Sequence, residues 1–306
     1  MWTRRHAIAA AVLAGMLGAA PALAQDQPKD KLKVVASFSI LGDLVKNVGG
    51  DRVEVAILVG PNGNAHVYAP SPADAKKAAD AKLVFVNGLG FEGWLERLVK
   101  ASGTKAPIVV ATRGIKPRER VGERDHGHDH GRADPHAWQS VANAKIYVAN
   151  IRDALVAADP ARKSIYDANA DAYLAKLDAL EREVRDVIAK IPADRRKVIT
   201  SHDAFGYFEG AYGISFIAPQ GVSTEAEASA RDVAAIIAQI KKQKIAAVFL
   251  ENVTDPRLVE QIARETGAKI GGTLYSDALT DDKGDATTYI DLIRHNVRQL
   301  AAALIS

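Results

Sequence analysis

Thirty-one residues separate Pro160 from Pro192, and none of them is Gly or Pro. Along this stretch Tyr166, Ala170, Tyr173, Leu177, Leu180, Val184, Val187 and Ile188 recur at steps of three and four. That spacing lays one apolar stripe down the side of a helix. At 1.5 Å per residue the helix is roughly 45 Å long, more than the width of a small domain. In a chain of two halves, a helix of that length is expected to act as a strut joining them.

On either side of the strut, short β-branched runs alternate with helical patterns, the signature of α/β layers with parallel strands. In the first half, strands are expected at 32–38, 53–59, 83–87 and 108–111. The helices between them are 40–48, 71–81 and one beginning near Glu92, with Ser71 as N-cap and Pro72 at the first helical position. From 112 to 132 periodicity is lost, and a helix over 142–157 follows. In the second half, strands are expected at 197–200, 215–218, 247–250 and 269–273, with helices at 230–243, 256–266 and 289–304. No short repeat is visible, only two similar halves.

Residues 1–24 read as a signal peptide, with Arg4 and Arg5, an apolar run from Ala7 to Ala20, and Ala22-Leu23-Ala24 as a cleavage site. Thr3-Arg4-Arg5 suits twin-arginine export, but the pair is also ordinary in a Sec signal, so the route stays open. The apolar run is too short to span a bilayer comfortably, and no later segment reaches that length. Without Arg4 and Arg5, the 40 basic residues become 38 against 37 acidic ones. A balance of +1 gives no electrostatic reason to expect nucleic acid as a partner. Cysteine is absent, so an exported fold would rely on core burial without disulfides, and any metal site must use His, Asp and Glu.

Four of the eight histidines fall between His126 and His136. His126, His128 and His130 alternate with Gly and Asp, which suits a tether that no core could hold. His136 follows Asp134-Pro135, where the proline restricts the backbone. In open α/β sheets, ligands gather at loops following the carboxyl ends of strands. His66 follows the strand at 53–59, His202 follows 197–200 and Asp277 follows 269–273. With His136 counted in the first half, each half supplies two, which would place a metal in the cleft between them. Singly, each has a plainer reading: a backbone-satisfied loop histidine for His66, a helix cap for His136, and half of a pair with Asp203 for His202. Asp281, Asp282 and Asp285 compete with Asp277. Glu251 and Glu209 are candidates to hold ligand imidazoles or simple structural pairs.

Four segments carry a resemblance: His66-Val67-Tyr68-Ala69-Pro70-Ser71-Pro72-Ala73-Asp74, Asp134-Pro135-His136-Ala137-Trp138, Ser201-His202-Asp203-Ala204-Phe205-Gly206-Tyr207-Phe208 and Ser276-Asp277-Ala278-Leu279. In this order they resemble the cluster A-I solute-binding proteins of zinc and manganese ABC importers, over essentially the whole mature chain of 282 residues. The resemblance implies an α/β fold of two Rossmann-like lobes with parallel sheets, joined by one long rigid helix. It also implies one metal ion in the interlobe cleft, bound by His66, His136, His202 and Asp277. Many members carry Asp-Pro before the first histidine, where this chain has Asn64-Ala65; some relatives carry disulfides.

On these grounds the expected divisions are a signal peptide over 1–24, a first lobe over 25–158 with a His-rich loop at 119–132, a linking helix over 159–191, and a second lobe over 192–306. Manganese-type relatives carry a carboxylate where this chain has His202, and three imidazoles with one carboxylate suit Zn²⁺. The expected function is a periplasmic, non-enzymatic zinc-binding protein that delivers Zn²⁺ to the transmembrane subunits of an ABC permease. The expected protein is a monomer, with a periplasmic metallochaperone as a second candidate partner. His126, His128 and His130 are expected to form a weaker second site. The alternatives are a manganese-binding importer component, an extracellular metal-dependent adhesin, and a zinc hydrolase. Against the hydrolase, no His-Glu-x-x-His motif is present.

Overall fold

The computed structural model describes residues 31–119, 133–225, 227–245 and 247–305. The expected signal peptide and the loop histidines His126, His128 and His130 lie outside these residues.

The first half builds a parallel sheet from β1 (Leu32–Phe38), β2 (Val53–Val59), β3 (Leu83–Val86) and β4 (Ile108–Val110), in the order β2-β1-β3-β4. Val34, Val35, Ala36 and Phe38 of β1 are all buried, as a central strand covered on both faces requires. Helices α1 (Ser39–Gly49), α2 (Pro72–Asp80) and α3 (Leu95–Ser102) connect the strands. Ser71 caps α2 in a reciprocal box: its hydroxyl accepts the Asp74 N–H, and the Asp74 carboxylate accepts the Ser71 N–H.

Helix α3 begins three residues later than the pattern around Glu92 indicates. The Glu92 side chain is buried and already engaged. Its carboxylate accepts the Ser37 hydroxyl at 2.6 Å and the backbone N–H groups of Asn87 and Gly88 at 2.7 and 3.1 Å. Those bonds hold a turn in which Gly88, Leu89 and Gly90 all have positive φ, and a helix cannot start inside it.

The second half repeats the design. Strands β5 (Lys197–Ile199), β6 (Ser215–Ile217), β7 (Ala247–Glu251) and β8 (Lys269–Leu274) form a parallel sheet ordered β6-β5-β7-β8. Helices α7 (Ala230–Gln243), α8 (Arg257–Thr266) and α9 (Tyr289–Leu304) accompany them, with α4 (Val141–Ala158) and α5 (Lys163–Ala189) between the two sheets in the chain. A short α6 (Gly206–Tyr212), preceded by Phe205, carries the buried Phe208 and Tyr212. It has no counterpart in the periodicity reading, because seven residues are too few to display a helical period.

Helix α5 runs 27 residues, or about 40 Å. Pro160–Arg162 forms a separate 3₁₀ turn in front of it, so the helix starts three residues beyond the proline. Tyr166, Ala170, Tyr173, Leu177, Leu180, Val184 and Ile188 are buried along one stripe. They pack on α1 and α4 from the first half and on α6 and α9 from the second. Across the halves, Asp43 of α1 accepts the Tyr289 N–H at the start of α9 at 2.9 Å. One apolar cluster therefore runs from Val34 of β1 to Leu304 of α9, and a smaller one sits among β7, α7 and α8 around Ile236, Val248 and Ile262. Among the described residues no helix is long and apolar enough to cross a membrane.

Candidate metal centre

The carboxyl ends of the two sheets face each other, and their loops bring four side chains to one point. His66 comes from the loop after β2, His136 from the segment entering α4, His202 from the loop after β5 and Asp277 from the loop after β8. One donor atom from each lies within 4.8 Å of all the others. His136, His202 and Asp277 have no exposed surface, and His66 keeps 6%. His295, by contrast, sits on α9 with Nε2 3.0 Å from the Thr273 carbonyl and its ring against Tyr275.

His66 Nε2 is 3.3 Å from His136 Nε2 and 3.1 Å from Asp277 Oδ2. His136 Nε2 is 3.5 Å from Asp277 Oδ1, and His202 Nε2 is 3.3 Å from Asp277 Oδ2. In a tetrahedral shell with bonds of roughly 2.0–2.1 Å, neighbouring donors are about 3.3 Å apart. Both Asp277 oxygens and His202 Nε2 are buried without a hydrogen-bond partner. Buried polar atoms are normally satisfied, so these atoms suit a shared cation better than one another. The residues fit a cation held by three nitrogens and one carboxylate.

His136 and His202 are fixed by what their backbone and far ring nitrogen touch, and His66 by its backbone. Asp134 Oδ1 takes the His136 N–H and lies 2.9 Å from His136 Nδ1. This Asx turn orients the ring and leaves Nε2 for the centre. Asn64 Oδ1 accepts the His66 N–H at 3.0 Å in the same way, so the Asn64-Ala65 departure from Asp-Pro preserves the turn. Glu251 Oε1 accepts the N–H groups of Ser201 and His202, while Oε2 lies 2.7 Å from His202 Nδ1, in charge-pair contact but out of line for a hydrogen bond. Of the two glutamates weighed as imidazole partners, Glu251 takes that position; Glu209 sits half-buried on α6. Gly206 is needed for space, since a Cβ there would come within 2.6 Å of Asp134 Oδ2. Around these groups Phe38, Phe91 and Trp138 form an aromatic wall, with Phe91 edge-on to His66 and Trp138 edge-on to His136.

The electrostatics follow from that burial. Desolvation pulls His136 down, but the charges of Asp277 and Asp134 outweigh it and push the imidazole up to about 9. His202 is treated alike: burial opposes its charge, and Glu251 and Asp277 raise it well above the usual histidine range. For Asp277, burial would raise the carboxyl, yet His202 and His136 hold it well below the usual carboxylate range. Burial lowers His66, and the two charged rings beside it add to that. These directions favour a proton on His136 and His202 beside the Asp277 carboxylate and disfavour one on His66.

The main contributions of Asp134, Asn64 and Trp138 lie outside the sequence reading. A usable signal was present for two of them: an Asx residue stands two positions before both His66 and His136.

Comparison with known proteins agrees with this geometry. The family model described as "Zinc-uptake complex component A periplasmic" (ZnuA) matches residues 34–303. The iron-binding protein YfeA of Yersinia pestis is 38% identical over 283 residues, covering 92% of this chain and 89% of that protein. The manganese-binding lipoprotein MntA of Halalkalibacterium halodurans is 36% identical over 274 residues, covering 89% and 88%. Among solved structures, the periplasmic zinc-binding protein TroA from Treponema pallidum superposes with a TM-score of 0.84 at 30% identity, over 90% of this chain and all of TroA. Two parallel sheets sharing one long helix, a buried cluster of three histidines and an aspartate, and kinship along nearly the whole chain lead to one assignment: the chain belongs to the ZnuA family, the metal-binding solute-binding proteins of ABC metal importers.

Proposed function

We propose that this protein binds Zn²⁺ through His66, His136, His202 and Asp277 in the periplasm and hands it to the transmembrane subunits of an ABC importer. The family is one of transport proteins, so the chain is not an enzyme. The observation that carries the zinc reading is the donor set: three buried imidazole nitrogens around one buried carboxylate, with the nitrogens 3.1, 3.3 and 3.5 Å from its oxygens. Nitrogen-rich sets favour zinc, whereas manganese prefers hard oxygen donors. A manganese reading is the alternative, and one observation favours it. Both Asp277 oxygens face the centre, so a bidentate carboxylate would give a larger ion a fifth donor, and relatives named for manganese and iron are among the kin. Metal analysis of the purified protein followed by zinc–manganese competition decides between them. One tightly held zinc that excess manganese does not displace is the expected result; displacement by manganese would overturn the zinc assignment.

The same proposal includes lobes over 25–158 and 192–306 joined by 159–191, a cleaved export signal over 1–24, and a monomer loaded by a metallochaperone. Support for the lobes is the shared helix and the pair of similar sheets. Export is supported by the basic and apolar pattern of residues 1–24 and the periplasmic description of the family. A weaker second site at His126, His128 and His130 rests on residue type and spacing alone.

A pH dependence follows. A metal needs bare Nε2 atoms, so binding must expel the protons held by His136 and His202. The sign for the metal-free fold is opposite. His136 rises from an unfolded value of about 6.5 to about 9, so its contribution to stability is complete below about pH 6.5 and is lost as pH rises through about 9. The metal-free protein should therefore melt at a lower temperature at pH 8.5 than at pH 6.5, while the gain on adding one equivalent of zinc grows. Thermal melts with chelator and with zinc at the two pH values measure this. A zinc-induced gain that does not change with pH would show that no proton is displaced.

A further inference from the structure

The loop that carries His66 is tied to the opposite lobe by its own asparagines. Asn64 Oδ1 accepts the His66 N–H, and Asn64 Nδ2 donates to the Val253 carbonyl at 3.2 Å. The Thr224 hydroxyl lies 2.8 Å from Nδ2 and 3.1 Å from Oδ1. The amide orientation is fixed from both sides, because the His66 N–H requires an acceptor and the Val253 carbonyl requires a donor. Two residues earlier, the Asn62 N–H donates to the Leu279 carbonyl at 2.8 Å, and Asn62 Oδ1 accepts from Asn252 at 3.3 Å. Thr224, Val253, Asn252 and Leu279 all belong to loops of the second half.

His66 is also the one member of the cluster with exposed surface. Its ring lines a small opening bounded by Leu89, Gly90 and Phe91 on one side and Val222 and Ser223 on the other. The next residue, Val67, is 53% exposed, so the outer side of this loop faces solvent. An ion entering or leaving the buried centre through this opening meets His66 first, on a loop that is bonded to the second half.

We infer that Asn64 is a latch: its bonds to Thr224 and Val253 hold the His66 loop against the second lobe, and their rupture sets the rate of metal release. This rests on His66 being a metal ligand, as proposed above. Asn64 does not touch the ion; it is a positioning residue acting through His66. The competing role, a simple turn cap for the His66 backbone, uses only Asn64 Oδ1. Asn64→Asp separates the two, because a carboxylate still accepts the His66 N–H but has nothing to donate to the Val253 carbonyl. Thr224→Val removes the other partner from the far lobe and leaves the His66 turn untouched.

The experiment uses the zinc-loaded full protein mixed with excess chelator in stopped flow, with hydrogen exchange of the backbone amides at 62–66 in the metal-free protein as a second readout. Each variant should speed zinc release about tenfold, from loss of one or two hydrogen bonds. The double variant should release zinc faster than either single variant, because Asn64→Asp breaks the Val253 bond while its carboxylate still accepts the Thr224 hydroxyl, which Thr224→Val removes. Both variants should also speed exchange at the His66 amide, which a change confined to the ion would not do. Parental release from Asn64→Asp, or a double variant no faster than Thr224→Val alone, overturns the latch. If Asn64→Asp fails to fold, Thr224→Val carries both readouts, and unchanged release and exchange in it overturns the proposal equally. A parental protein that takes up no zinc would defeat the ligand assignment instead, and the metal-free exchange readout would still test the latch.

Discussion

Asp277→Asn should weaken zinc binding about a thousandfold while leaving the fold intact. Asp277 is the sole carboxylate of the four-residue cluster, and its two oxygens reach all three rings. A neutral amide keeps its volume but leaves a buried dication with uncharged donors only. Removing one partner of a buried charge pair costs on the order of 3–5 kcal/mol, which corresponds to roughly two to four decades in affinity. Chelator competition measures the loss, and circular dichroism checks the fold. Asp281→Asn, four residues away on an exposed turn, should leave affinity at the parental value and serves as the control. Parental zinc affinity in Asp277→Asn would remove Asp277 from the site.

The largest effect on stability is expected at Trp138. Its ring is fully buried and lies 5.0 Å from both Phe38 and Phe91 and 5.2 Å from His136. Its Nε1 donates to the Ser276 carbonyl at 2.9 Å, Gln139 donates to the same oxygen at 2.8 Å, and the Trp138 carbonyl accepts the Tyr289 hydroxyl at 2.7 Å. Trp138→Ala removes the largest side chain at the junction of the two halves and opens a cavity beside the metal centre. Such truncations cost about 3–5 kcal/mol, or about 10 °C of melting temperature for a chain of this size. Thermal unfolding of the metal-free variant tests this. A loss below about 1 kcal/mol would mean that the neighbouring rings close over the gap. Zinc affinity should fall as well, because Ser276 directly precedes Asp277 and loses one of its two anchoring donors.

What could be read from residues alone was what has a period or a fixed place relative to a strand. All eight strands and the long stripe from Tyr166 to Ile188 carry such patterns, and the bounds differ from the structure by a residue or so. His66, His202 and Asp277 stand out in the sequence because each follows a strand end, His136 because Asp134-Pro135 precedes it, and the family resemblance joins the four, which the structure brings together. Helix α3 was placed too early because Glu92 suits a helix start locally, and its long-range use by Ser37, Asn87 and Gly88 has no local trace. Helix α6 is too short to show a period. Glu251 was legible only as one of two alternatives: its distance from His202 is set by the β5–β7 pairing, 49 residues apart in the chain. The cross-lobe role of Asn64 was hidden for the same reason, since Thr224 lies 160 positions away.

The continuous apolar cluster from β1 to α9 also governs how the protein comes apart. Two lobes with private cores could melt one after the other. Here α5 lends the same stripe to both, so neither can lose its packing without exposing the other's. Shared packing of this kind favours one cooperative global transition over two separate ones. The separate small core of β7, α7 and α8 is the natural first unit to open, as a local excursion below the global transition. Because Glu251 ends β7 and accepts the His202 N–H, an opening there would loosen the backbone that carries His202.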